Sequence, residues 1–363
     1  MIYATVHLVD DLTAGGVTRL LNHLANGAAS GHRIVAIERG RLPAPKLEAD
    51  VIVSNLSVCW RNFPLFVALR AAYPRTPLVH VEHSYSESFV AAHVESRDRF
   101  DTLFGAVYSL FDVVVAVSPE QRRWLARRHF CRPGKLRLIE PCADLAPFLA
   151  VAPRAAGRPR VVGALGRFDR QKGFDVLIDA FRSGRLPNHE QHLWGAGAEE
   201  SMLRARAVGL PNVAFMGFAE NPAAAMARCD CVAMPSRWEP HEMVAIEAMA
   251  AGRAVLCARV DGLRDHIAAG AIAVAQNAPA EWAARLADLS EEDLARAATL
   301  GRSRAAATSG GLRESWRELV AELTATSSNR GAPDRAAPLG QARRGAICAS
   351  ASAILSRPTG FER

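Results

Sequence analysis

Lysine is nearly missing from this chain. Of its 44 basic residues only Lys46, Lys135 and Lys172 are lysine, so a lysine inside a motif is informative. Long apolar runs are missing as well. The nearest approach to the ~18 residues of a membrane span, Leu103 to Val117, is broken by Asp112. No Asp-x-Asp pair for a divalent metal occurs, and Asp10-Asp11 reads as a loop. The first residues carry no basic segment, so no secretory signal is expected. The seven cysteines are odd in number and scattered, which fits reduced thiols in a cytosol better than a disulfide framework. The net charge is only +7, of which +3 falls in residues 331–363, too little to argue for nucleic acid. What remains is ordinary globular composition: 363 residues, 50% hydrophobic and 22% charged, enough for two domains.

Residues 1–150 alternate short apolar runs with helical spacing. The runs are Ile2–Val9, Arg33–Ile37, Val51–Val53, Leu78–Val81, Val113–Val117 and Leu136–Ile139. Between them lie stretches such as Leu20, Leu21, Leu24 and Ala28. Such alternation predicts a parallel sheet with helices on both faces. Residues 151–159 have the composition of a linker. The alternation then restarts at Val161–Leu165, His192–Trp194, Val213–Met216, Cys231–Met234, Val255–Ala258 and Ile272–Ala275, and gives way to helix from about Glu281 to Leu323. The expected fold is α/β: two Rossmann-like, doubly wound parallel-sheet domains, 1–150 and 160–325, facing a cleft. Residues 331–363, rich in Ala, Arg, Gly and Pro, are expected to be disordered. Ligands of such sheets bind where the strands end, which locates a site before any chemistry is known.

Two segments carry that chemistry. Gly166-Arg167-Phe168-Asp169-Arg170-Gln171-Lys172-Gly173 links a strand to a helix. Glycines, an Arg and a Lys at a helix start suit a diphosphate. A surface loop with solvated charges is the other reading. The second segment, Ser236 to Gly252, follows a buried strand and holds Glu239 and Glu247, with Pro240 marking a turn before a helix from about Glu242 to Ala250. One carboxylate in the loop and one farther along the helix can each accept hydrogen bonds from a polyol, with phosphate at the helix N-terminus between them. Two unrelated surface charges would look the same.

Together the segments resemble the retaining glycosyltransferases of family four, which have the GT-B fold. Further matches follow in order: Gly15-Gly16, Trp194-Gly195-Ala196-Gly197, Asn212 to Gly217, Cys229 to Arg237, and Asp261 to Asp265. The resemblance runs from about residue 10 to 290. It implies that Arg167 and Lys172, with Gly166, bind the donor diphosphate. It implies that Glu239 contacts the transferred sugar, that Glu247 holds the nucleotide ribose, and that Met243 and Val244 lie at the phosphate-binding helix N-terminus. Gly15 and Gly16 match a glycine loop that closes on donor and acceptor. His83 matches a cleft histidine near the sugar or acceptor; His80 is a weaker match, readable as a core histidine. The chain departs from the family pattern at Glu242, where a Gly is usual, and at His241, where a Phe is usual. It also departs at Pro141-Cys142 in place of Asn-Gly, and at Asp261 and Asp265 in place of a Gly and a Glu.

Other signals lead away from alternatives. Gly195-x-Gly197 lacks a third glycine, since Glu200 stands there, which argues against a nicotinamide enzyme. Cys229-x-Cys231 has no second pair of ligands for zinc. The run Arg122, Arg123, Arg127, Arg128, Arg132, Lys135 and Arg137 contains no acid. It reads as a solvated helix face or as a contact with an anionic membrane. The expectation is therefore a metal-independent, retaining glycosyltransferase of the hexosyltransferase type, needing no cofactor beyond its substrate. Its donor would be a nucleotide-diphosphate sugar, a UDP-sugar by family habit. Its acceptor would be a glycan or glycolipid of bacterial surface polysaccharide or lipopolysaccharide, and its place the cytoplasm or the inner face of the membrane. A sugar-nucleotide epimerase of the same architecture and a non-catalytic sugar-nucleotide-binding protein stand as the alternatives.

Overall fold

The computed structural model describes residues 2–12, 15–26, 31–154, 157, 160–308 and 310–328. The tail 331–363, expected to be disordered, lies outside the described residues, as does part of the 151–159 linker.

Among the described residues, twelve strands form two six-stranded sheets, all parallel. The first contains β1 (Thr5–Val9), β2 (His32–Ala36), β3 (Val51–Ser54), β4 (Leu78–Glu82), β5 (Val113–Ala116) and β6 (Leu136–Leu138). The second contains β7 (Val161–Leu165), β8 (Glu190–Trp194), β9 (Val213–Gly217), β10 (Cys231–Met234), β11 (Ala254–Ala258) and β12 (Ile272–Val274). Their orders are β2-β1-β3-β4-β5-β6 and β12-β11-β10-β7-β8-β9. In each sheet the order in which strands are added reverses once, between β1 and β3 and between β7 and β10. Those two switch points are where strand-end loops diverge and leave a crevice.

The central strands are apolar because both their faces are covered. Successive residues of β5 go to different cores. Val113 and Val115 join one cluster, with Leu20, Leu21 and Leu24 of the helix Gly16–Ala25. Val114 and Ala116 join another, with Phe66, Leu103 and Phe104 of the helices Phe63–Ala72 and Arg97–Ser109. His80 on β4 falls on the second face. Its ring packs 5.2 Å from Phe111 and 5.5 Å from Tyr108, which makes it a core histidine. The first cluster does not stop at the domain boundary. It continues through Met234, Ile246 and Met249 of the second domain.

The last helix, Gly311–Ser328, belongs by its packing to the first sheet, whereas the sequence grouped its residues with 160–325. Leu312, Trp316, Leu319 and Val320 recur at helical spacing and are buried in the cluster that holds Val51 and Val53 of β3. Trp316 meets His7 edge-on at 5.4 Å and His32 at 6.1 Å. Arg313 donates to the His23 carbonyl at 2.8 Å.

Among the described residues no helix is long and apolar enough to cross a membrane. The arginine run on the helix Pro119–Arg127 is also less basic in space than in sequence. Arg123 pairs with Glu120 at 2.6 Å and Asp265 at 3.2 Å, Arg127 with Glu87 at 3.2 Å, and Arg128 with Asp101. The acids come mostly from other elements, which a linear reading of the run could not supply.

Candidate active site

The site is built where β7 and β10 diverge. The loop after β7 ends at Gly173, which has φ +66° and lies so close that a Cβ would meet the Pro235 carbonyl oxygen. The loop after β10 is therefore pressed against it. The Arg237 amide donates to the Gln171 carbonyl at 2.8 Å, and the Arg237 guanidinium holds Asp175 through bonds of 2.9 and 2.7 Å. Gly195 and Gly197 are also close-approach positions. A Cβ on either would strike the backbone at Gly166 or Phe168, so their spacing is explained by packing.

This arrangement delivers Lys172 to two carboxylates. Its Nζ lies 2.7 Å from Glu239 Oε2 and also bonds Glu242 Oε2. Glu239 accepts a further bond from Gln171 Nε2 at 3.2 Å. All three charges are largely buried, Lys172 being 13% exposed and the two acids 6% and 7%. Burial works against the charge on Lys172, but the two carboxylates outweigh it and push its pKa above the usual lysine range. One ammonium cannot neutralise two buried carboxylates. Burial and the neighbouring Glu242 hold the Glu239 carboxyl well above the ordinary range, against the pull of Lys172. Burial opposes ionisation of Glu242 too. Lys172, the bond with Glu239 and the Val244 amide outweigh it and keep its pKa low. The shared ammonium thus leaves the pair unequal, with the Glu239 carboxyl raised and that of Glu242 lowered.

Glu242 is also the N-cap of the helix Met243–Ala250, its Oε1 accepting from the Val244 amide at 3.2 Å. One turn on, Glu247 is 1% exposed and faces the other domain, where Arg19 of the helix Gly16–Ala25 pairs with it. Burial lifts the Glu247 carboxyl to about 7 against the pull of Arg19. Gly15 caps that first-domain helix, and a Cβ on Gly16 would sit 3.8 Å from Met243 Sδ. The glycine turn of one domain therefore stands over the helix N-terminus of the other.

A second bridge is Asp261. Its carboxylate accepts from the Ser86 hydroxyl at 2.7 Å, the Ser88 amide at 2.9 Å and the Glu239 amide at 3.0 Å. His83 lies past β4, its Nε2 2.9 Å from Asn55 Oδ1, with its pKa lowered to about 4 by burial first, then by His80 and His241. His241 donates to the Pro141 carbonyl at 3.0 Å, and burial lowers it to about 4 as well.

The structure thus brings together Lys172, Glu239, Met243, Val244 and Glu247, with Gly15 and Gly16 opposite. It does not bring Arg167 into the charged cluster. That side chain is 58% exposed and pairs with Asp169 at 3.3 Å. Sequence reasoning missed Arg19 entirely, although a lone arginine one turn after Gly15-Gly16 on an apolar helix was a usable signal. It also missed the carboxylate pairing at Lys172.

Residues 45–147 match the family described as Glycosyltransferase Family 4, and residues 159–292 match Glycosyl transferases group 1. A D-inositol 3-phosphate glycosyltransferase of Kineococcus radiotolerans is 30% identical over 310 residues, which cover 73% of this chain and 68% of that protein. The chain belongs to glycosyltransferase family 4. A mannosylfructose-phosphate synthase of Agrobacterium fabrum is 30% identical over 214 residues, 49% of this chain and 47% of that one. The chain thus spans about half the length of one of these curated relatives and two thirds of the other. Among solved structures, the sucrose-phosphate synthase of Thermosynechococcus elongatus superposes with a TM-score of 0.70 at 21% identity, covering 89% of this chain and 99% of that one. Anabaena HepE in complex with UDP-glucose superposes with a TM-score of 0.66 at 17% identity, covering 90% and 98%. The fold of this family 4 chain is GT-B, as the two facing parallel sheets require.

Proposed function

We propose that this family 4 chain transfers a sugar from a nucleotide-diphosphate donor, a UDP-sugar by preference, to an acceptor held against its first domain. The observation that carries the reading is the convergence of Lys172, the Met243–Val244 helix start, Glu239 and Glu247 at one switch point, under the Gly15–Gly16 turn. In this reading Glu247 accepts from the ribose, and Glu239 holds hydroxyls of the transferred sugar. The β-phosphate gains charge as the glycosidic bond breaks. Lys172, Arg167 and the helix amides stabilise that charge, as fixed donors do for any leaving anion. Gly166 lets the backbone approach the diphosphate. His83, neutral at neutral pH, offers a hydrogen bond to the sugar or the acceptor from the other side of the cleft.

In this reading the transfer retains the anomeric configuration and needs no metal, Lys172, Arg167 and the helix amides facing the leaving group instead. The relatives' printed names, a D-inositol 3-phosphate glycosyltransferase and a mannosylfructose-phosphate synthase, support a polyol or sugar acceptor. The HepE complex with UDP-glucose supports the uridine donor. A place in bacterial surface polysaccharide or lipopolysaccharide synthesis, at the cytoplasmic face of the membrane, completes the reading. Contact with an anionic membrane through Arg122, Arg123, Arg127 and Arg128 is disfavoured, because acids offset three of the four.

The test is transfer of label from radiolabelled UDP-glucose, UDP-GlcNAc and GDP-mannose to separate polyol and lipid-linked acceptors. Label is expected in an acceptor, with an unchanged anomeric configuration and undiminished in excess EDTA. Loss on chelation that Mn²⁺ restores would overturn the metal-free reading. Label that only changes epimer, or that never leaves the donor, would favour the epimerase or the non-catalytic binder.

A further inference from the structure

Glu242 does more in this structure than cap a helix. Its carboxylate takes two of the partners that the diphosphate reading needs, the Lys172 ammonium and the Val244 amide. Its side chain is 7% exposed, so solvent does little to screen it. The charges facing it from neighbouring elements are Lys172 from the β7 loop and Glu239 from its own loop. Glu247 on its helix, the neutral His241 and His266, and the Cys257 thiol of β11 complete its surroundings. Among these, Lys172 is the cation in direct contact.

We propose that Glu242 is an internal competitor for the donor's β-phosphate, a residue that sets how tightly this site holds a nucleoside diphosphate. The proposal rests on the nucleotide-donor reading above. A phosphate oxygen and the Glu242 carboxylate both require the same ammonium and the same amide, and like charges cannot share them at hydrogen-bond distance. Donor binding therefore displaces Glu242 from Lys172, and only the displaced population is competent. The apparent dissociation constant rises by the inverse of that population. Removing the carboxylate leaves the Lys172–Glu239 pair of 2.7 Å in place, a balanced one-to-one pair. Glycine is among the well-tolerated N-cap residues. Glu242→Gly should therefore fold.

Calorimetric titration of UDP, GDP and uridine into wild type, Glu242→Gly and Glu242→Gln tests this. UDP or GDP, whichever the wild type prefers, is expected to bind Glu242→Gly about tenfold tighter, as for a competent fraction near one in ten in the wild type. Glu242→Gln, which keeps the shape without the charge, should fall between. Uridine, with no phosphate, should bind all three alike. Thermal melts of the two variants report folding, and either folded variant suffices. Equal or weaker diphosphate binding by a folded variant, with uridine unchanged, overturns the competition and leaves the nucleotide reading standing. Failure of all three proteins to bind any of the ligands overturns both.

Discussion

Replacing Lys172 by alanine is expected to lower sugar transfer by roughly 10²–10³-fold, the usual loss when one oxyanion partner is removed. It is also expected to destabilise the fold, and this second effect sets it apart from an ordinary active-site substitution. Lys172 is the counter-ion of two buried carboxylates. Removing one partner of a buried ion pair leaves uncompensated charge and costs about 3–5 kcal/mol. Buried carboxylates that lose their counter-ion can take up protons instead, so the lower end is expected. Arg167→Ala is the contrast. It should lose transfer comparably but not stability, because its side chain is 58% exposed and exposed ion pairs contribute little. Adding Glu242→Gly to Lys172→Ala should restore part of the stability and none of the transfer, since neighbours sharing a charge are not additive. Single-turnover assays and denaturant titrations of the three variants beside wild type decide it. A Lys172→Ala protein as stable as wild type would mean that the carboxylate pair is not held by this lysine.

The sheets were legible because parallel strands covered on both faces leave apolar runs that hardly depend on what packs over them. β7 and β10 fall on the expected residues, Val161–Leu165 and Cys231–Met234. The two loops that follow them were placed as well, since a strand-to-helix turn is marked by the residues nearest to it. What was hidden is what depends on distance in the chain. Arg19 and Glu247 are 228 residues apart, and Ser86 and Asp261 are 175 apart. No periodicity connects such pairs. The last helix was assigned to the nearer domain for the same reason, while its Trp316 is buried against His7 and His32. Glu242 was visible as a departure from the family pattern. Its consequence required knowing that Lys172 points at it.

Glu247→Gln is expected to separate stability from nucleotide binding. The folded-state carboxyl is raised to about 7 from an ordinary 4.5. The unfolded chain thus loses this proton near pH 4.5, and the folded chain holds it until about pH 7. In that window the folded state binds more protons than the unfolded one, so the contribution of Glu247 to stability declines as pH rises from 4.5 to 7. A difference of this size amounts to about 3 kcal/mol in all. Glutamine does not titrate. The variant should therefore match wild type near pH 5 and be the more stable protein at pH 8. Binding should go the other way. Losing a charged acceptor for the ribose costs about 1.5–3 kcal/mol, so a nucleoside diphosphate should bind roughly 10- to 100-fold more weakly. Arg19→Ala should leave Glu247 buried without its cation, raise its carboxyl further and extend the decline to higher pH. Melting curves from pH 5 to 8 and nucleotide titration at pH 8 settle the matter. If wild type and Glu247→Gln melt in parallel across that range, Glu247 is ionised throughout and Arg19, not burial, governs it.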